Sequence, residues 1–147
     1  MIILLTGLLA GFLDGVAAVL LFRTRGNKNP ALLFRYIASA VYGKAAFGEG
    51  SRMVLMGVLF HFLIAGTFVG VYFGLYPYLS LFRSSPLAGA FVYGLLIWVI
   101  MNQGVVPLSK AAPRPFSLLF AVVNMLILIV AIGLPTAYLA RWYFQWY

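Results

Sequence analysis

Ser51–Pro77 reads SRMVLMGVLFHFLIAGTFVGVYFGLYP, and this stretch decides the fold. After Arg52 it carries one titratable group of note, His61, in an otherwise apolar run. A run this long and apolar crosses a bilayer as a single helix, because the hydrocarbon core is about 30 Å thick. Gly66, Gly70 and Gly74 recur at four-residue spacing. That spacing lines them along the helix and lets a second backbone approach closely in lipid. At about 100° per residue the ladder lies about 140–220° around the helix from His61. One face therefore offers a polar group and the opposite face offers close packing.

The rest of the chain follows the same plan. Only 8% of its residues are charged and 65% are hydrophobic, with a mean hydropathy of +1.06. That leaves too little polar surface to clothe a soluble domain of this length. Apolar runs at about 1–22, 53–75, 87–106 and 116–139 predict a single integral membrane domain over 1–147. The expected fold is all-α, a four-transmembrane-helix bundle. Met1–Phe22 reads as a span and not as a signal peptide, since no Lys or Arg precedes its apolar core.

The one long connection, 23–50, holds a short helix at about 31–42. Asn29-Pro30 reads as an N-cap followed by proline at the first helical position. Gly43 suits its end. Leu33, Tyr36, Ile37 and Ala40 form an apolar stripe, with Arg35 and Ser39 on another face. The helix is too short to span, so it is expected in the membrane interface between spans 1 and 2. Glu49 is expected to favour the N-terminus of the second span, close to Arg52. Tyr72, Tyr76 and Tyr78 read as an aromatic belt at the far end of that span. Pro107 reads as the stop of the third span. Gly133-Leu134-Pro135 should kink the fourth near its end, and the tail ARWYFQWY should anchor at the interface.

The chain has no cysteine, so thiol nucleophiles, disulfides and thiolate metal sites are excluded. Its formal net charge is +8. The bases sit at span ends, which points to anionic lipid headgroups and topology and away from nucleic acid. Arg23, Arg25, Lys28, Arg35 and Lys44 are the expected headgroup residues. Together with Arg52, Lys110 and Arg114 they outnumber Arg83 and Arg141 at the other end. The positive-inside rule then puts the long loop in the cytoplasm and both termini outside.

The first span has its own ladder, Gly7, Gly11 and Gly15, and Asp14 lies beside it. An aspartate at mid-helix costs roughly 2.5–3.5 kcal/mol on insertion scales, so it needs a partner or a proton. Counting along the helices at about 1.5 Å per residue puts Asp14, His61 and Asn124 all roughly 12 Å from one end of the bundle. Asn102 comes closer to that end, at roughly 6 Å. One reading of this layer is an interhelical hydrogen-bond cluster in which Asp14 accepts from His61. Another is a proton or solute path, since intramembrane ionisable groups mark such paths and histidine titrates near neutral pH. A haem or chlorin on His61 is a third; a bis-histidine haem is excluded within one chain, which has a single histidine. No HExxH, GxSxG or P-loop is present. Ser51, Ser109 and Ser117 lie near span ends, away from His61. One His, one Asp and amides make a poor metal ligand set. Neither an enzyme nor a metal site is expected.

The segments NPALLFRYIASAVYGKAAFGEG, GVLFHFLIAG, LAGAFVYGLLIWVIMNQGVVPLS and AIGLPTAYLAR resemble an uncharacterised family of small four-span bacterial inner-membrane proteins related to the YagU-like group. The resemblance covers about 29–141. It implies the fold and an inner-membrane location, and no activity. It also implies a histidine near the start of the fourth span, where this chain has Asn124, which weakens a metal or haem role. The functional expectation is a non-enzymatic protein acting through helix association, as a homo-oligomer or as an accessory subunit of a larger membrane complex. The alternative is a small proton-linked transporter or channel using Asp14 and His61.

Overall fold

In the computed structural model, residues 1–48 and 50–146 are described; Glu49 and Tyr147, with the expectations placed on them, lie outside. The described residues form six α-helices and a short 3-10 helix at Gly43–Phe47, with no strand among them. The α-helices are α1 (Ile2–Thr24), α2 (Ala31–Tyr42), α3 (Arg52–Leu75), α4 (Ser80–Ser84), α5 (Pro86–Leu108) and α6 (Leu118–Trp146). Four of them, α1, α3, α5 and α6, are long and apolar enough to cross a membrane. The protein is thus a four-span helical bundle of the multi-pass membrane type. Helix α1 packs between α3 and α6, α5 packs on α6, and α2 lies against α3.

Glycine sets how closely these helices meet. A Cβ on Gly94 would lie 2.6 Å from Ile129 Cα, and one on Gly133 would lie 2.5 Å from the Ala90 carbonyl oxygen. Both distances are impossible for a real side chain, so α5 and α6 touch backbone to backbone. Over Ile129–Gly133 helix α6 widens into a π turn. Proline lacks an N–H, and its ring collides with the carbonyl four residues back in a regular helix. The wide turn just before Pro135 takes up that strain, and it does so inside the helix, which then runs on to Trp146. Helix α6 also starts later than expected, at Leu118, where the Ser117 side chain accepts from the Phe120 N–H (3.5 Å). A second π turn, Ile100–Val105, precedes Pro107. Helix α5 accordingly passes through Pro107 and ends at Leu108.

The aromatic residues depart most from expectation. Tyr72 is 0% exposed and Tyr76 4%, whereas Tyr78 is 81% exposed. Only Tyr78 of the three is placed as a belt residue would be. For Tyr72 the cause is α4, which packs on α5 beside the end of α3. Its Phe82 stacks on Tyr72 at 4.3 Å between ring centroids, and Tyr93 of α5 meets Tyr72 edge-on at 4.9 Å. Gly89 makes room for the Tyr72 hydroxyl. The Tyr93 hydroxyl donates to the Phe68 carbonyl, tying α5 to α3. The tail divides: Phe144 stacks on Tyr76 at 4.9 Å, while Trp142 and Trp146 are exposed.

Helix α2 also differs from its predicted stripe. Leu33, Ala38 and Ser39 are its buried residues. Ser39 faces the protein because its hydroxyl donates to the Tyr36 carbonyl at 2.6 Å, so burial leaves no unpaired group. The start is as read from the sequence: the Asn29 side chain accepts from the Ala31 N–H (3.0 Å), and Pro30 is already helical at φ −64°.

Candidate functional site

The seam between α1 and α3 carries the titratable pair. The Gly7–Gly11–Gly15 ladder is spent along it. A Cβ on Gly7 would lie 3.1 Å from Gly66 Cα, one on Gly11 2.8 Å from the Phe62 ring, and one on Gly15 3.2 Å from His61 Nε2. With no side chains in the way, His61 reaches the α1 backbone. Its Nε2–H donates to the Gly11 carbonyl at 2.8 Å. A carbonyl can only accept, so this contact fixes the tautomer with the proton on Nε2. Asp14 Oδ2 lies 3.9 Å from the same nitrogen, and the two side chains are 11% (His61) and 13% (Asp14) exposed.

Two residues not singled out by sequence close the site. Gly57 lies one turn before His61 on α3, and its missing side chain lets the Phe34 backbone of α2 rest directly on α3. The Phe34 ring then meets the His61 ring edge-on, at 6.4 Å between centroids. Below them lies a cavity of about 280 Å³, lined by Phe12, Val16, Val19, Phe34, His61 and Phe62 among others. The surface it presents is apolar.

The predicted polar layer is only partly assembled. The structure brings Asp14 to His61. Asn102 instead donates to the Trp98 carbonyl of its own helix at 3.0 Å. Asn124 lines a different cavity, with Arg25, Asn27 and Arg114. Among the described residues no hydrogen bond joins either amide to the pair. Equal depth did not imply a shared face, since rotation about each helix axis decides which side chains meet. No group of three or more metal-ligating side chains gathers among the described residues. His61 Nε2 is committed to Gly11, which does not suit it as an axial haem or chlorin ligand through that nitrogen.

No family model, curated protein or solved structure matches the chain.

The other ladder is placed differently. A Cβ on Gly66 or Gly74 would meet nothing within 4 Å, and one on Gly70 would only brush an Ile3 methyl at 4.0 Å. Leu55, Leu59 and Leu63 are all exposed, and at about 100° per residue they share this side of α3. The basic residues are also unlike one another. Arg23, Arg25, Lys28 and Lys44 are exposed at the basic end. Arg35 turns into the protein, donating to the carbonyls of Ala46, Gly48 and Gly50. Arg25 lies over the Phe120 ring, 3.8 Å from its centroid.

Proposed function

We propose that this is a non-enzymatic multi-pass membrane protein that works by helix association, as a homo-oligomer or as an accessory subunit of a larger membrane complex. The observation that carries the reading is the open Gly66–Gly70–Gly74 ladder on α3. The first ladder is used up inside the bundle, and the second presents a small-residue groove to the outside. In lipid, helices associate through such close backbone approach, since the tails are as apolar as leucine.

The basic residues support an orientation with the long loop in the cytoplasm and both termini outside. Placement in the bacterial inner membrane is part of the proposal and rests on the resemblance read from the sequence alone. Membrane lipids and a protein partner, and not nucleic acid, are the expected company.

A Gly66→Leu/Gly74→Leu variant tests the reading. A Cβ at either position would meet nothing within 4 Å, so the variant is expected to fold, which its far-UV circular dichroism and thermal unfolding check, and to lose association. Cross-linking in native membranes should trap a complex in the native chain and lose it in the variant. A native protein that crosslinks to nothing and stays monomeric sinks the proposal.

The second reading is a small proton-linked transporter or channel. The Asp14–His61 pair favours it, and the apolar surface of the adjoining cavity counts against a wet path. Loss of pH-dependent proton flux in liposomes on Asp14→Asn would favour it; flux that is absent from the native chain, or that survives the change, removes it.

A further inference from the structure

Arg25 and Arg114 converge on the second cavity, of about 290 Å³, at the basic end of the bundle. Its walls come from the last turns of α1 (Ala18, Leu21, Phe22), from Leu33 of α2 and from the start of α6 (Phe120, Asn124). Asn27 and Pro115 complete it.

Each guanidinium is held by an aromatic face. Arg25 lies over Phe120 at 3.8 Å, and Arg114 lies over Tyr36 at 3.4 Å. The Tyr36 ring is itself fixed, because its hydroxyl donates to the Ala112 carbonyl at 3.0 Å. Stacking uses the face of a guanidinium and leaves the donors along its edge available. Among the described residues neither Arg25 nor Arg114 donates to a carboxylate or carbonyl. Two like charges are thus held at one cavity without an acidic neighbour in the described chain. Partial loss of water lowers the Arg114 pKa from its ordinary value; Tyr36 opposes this and Arg25 adds to it. An anion between the two guanidiniums would relieve both effects.

The chemistry also changes with depth. The arginines stand at the mouth. Asn124 and Ala18 lie about 9 Å in from the ends of their helices. Apolar side chains make most of the wall between. The volume sits at the lower edge of ordinary ligand pockets, roughly 300–1,000 Å³, which suits a headgroup and not a whole lipid. We propose that this cavity is a specific site for an anionic phosphate ester, its oxygens taken by the edges of Arg25 and Arg114 and its glycerol or ester oxygens by the Asn124 carboxamide. The site uses none of the residues of the association face and stands independently of it. A lipid headgroup and a soluble phosphate ester share this chemistry; the position at the end of the spans favours the lipid.

The test is native mass spectrometry of the full chain in detergent, titrated with phosphatidylglycerol, phosphatidylcholine or glycerol 3-phosphate. Phosphatidylglycerol should bind about ten-fold more tightly than phosphatidylcholine. Arg25→Gln/Arg114→Gln should lose about ten-fold or more. Arg23→Gln/Lys28→Gln, which removes the same charge from the same end, should lose less than about three-fold. Asn124→Ala should weaken binding about three-fold with no change of charge, and it reads the site even where the double arginine variant fails to fold. Competition by glycerol 3-phosphate assigns the site to a soluble ester, and its failure to compete assigns the site to the lipid. The proposal is overturned if the two double variants lose affinity equally, or if Asn124→Ala leaves it unchanged.

Discussion

Gly7 and Gly66 meet asymmetrically. A Cβ on Gly7 would press on Gly66 Cα at 3.1 Å, whereas a Cβ on Gly66 would meet nothing. Helix α1 therefore rests on the edge of the α3 ladder and leaves its groove open. Gly7→Val should weaken the seam, by about 1–3 kcal/mol for overpacking against backbone. Gly66→Ala should be neutral or stabilise by up to about 1 kcal/mol through helix propensity. Reversible unfolding in mixed micelles separates the two. Equal destabilisation would mean that the groove is filled.

Gly57→Ala should be more damaging than either. Its methyl would overlap the Phe34 carbonyl, and neither backbone can rotate away. A loss of about 3 kcal/mol or more is expected. Accelerated hydrogen exchange over 31–42 should show α2 lifted from α3. Wild-type protection there would contradict the backbone contact.

Arg35 is expected to act as a fastening and not as a headgroup contact. It holds the carbonyls of Ala46, Gly48 and Gly50, in the turn that leads into α3. Charged hydrogen bonds of this type contribute about 1.5–3 kcal/mol. Arg35→Gln should speed exchange at 43–51 in detergent without lipid. Arg35→Lys should not restore it, because a single ammonium cannot span three acceptors set in a fork. Effects seen only with anionic lipid would return Arg35 to the headgroup role.

The spans were legible because length and hydropathy are local properties. So was the start of α2, where Asn29 and Pro30 act within one turn. What composition could not convey was rotation and return. Tyr72 read as a belt residue because α4 is only five residues long and its Phe82 gives no periodic signal, and Tyr76 because the return of Phe144 from the far end of α6 is not visible locally. Asn124 read as a neighbour of His61 because depth was available and azimuth was not. Gly57 and Gly94, which set two of the closest backbone contacts, belong to no four-residue ladder. Arg25 and Arg114 come together only because the ends of α1 and α6 are adjacent.

His61 and Asp14 should contribute little to stability. Hydrogen bonds between membrane helices average about 0.6 kcal/mol. His61→Phe removes the donor to Gly11, whose carbonyl keeps its helical partner. A double-mutant cycle with Asp14→Asn should give a coupling of about 0.5 kcal/mol. A coupling above about 2 kcal/mol would show that the pair does more than align α1 with α3.

The most direct measurement is the assembly state of the native chain and of Gly66→Leu/Gly74→Leu in liposomes, by single-molecule photobleaching at matched dilution and, in membranes of the native host, by cross-linking. The expected result is a stable oligomer or a hetero-complex for the native chain and a folded monomer for the variant. A native chain that is monomeric and uncomplexed in both settings, or a variant that assembles as well as the native chain, would contradict association through α3.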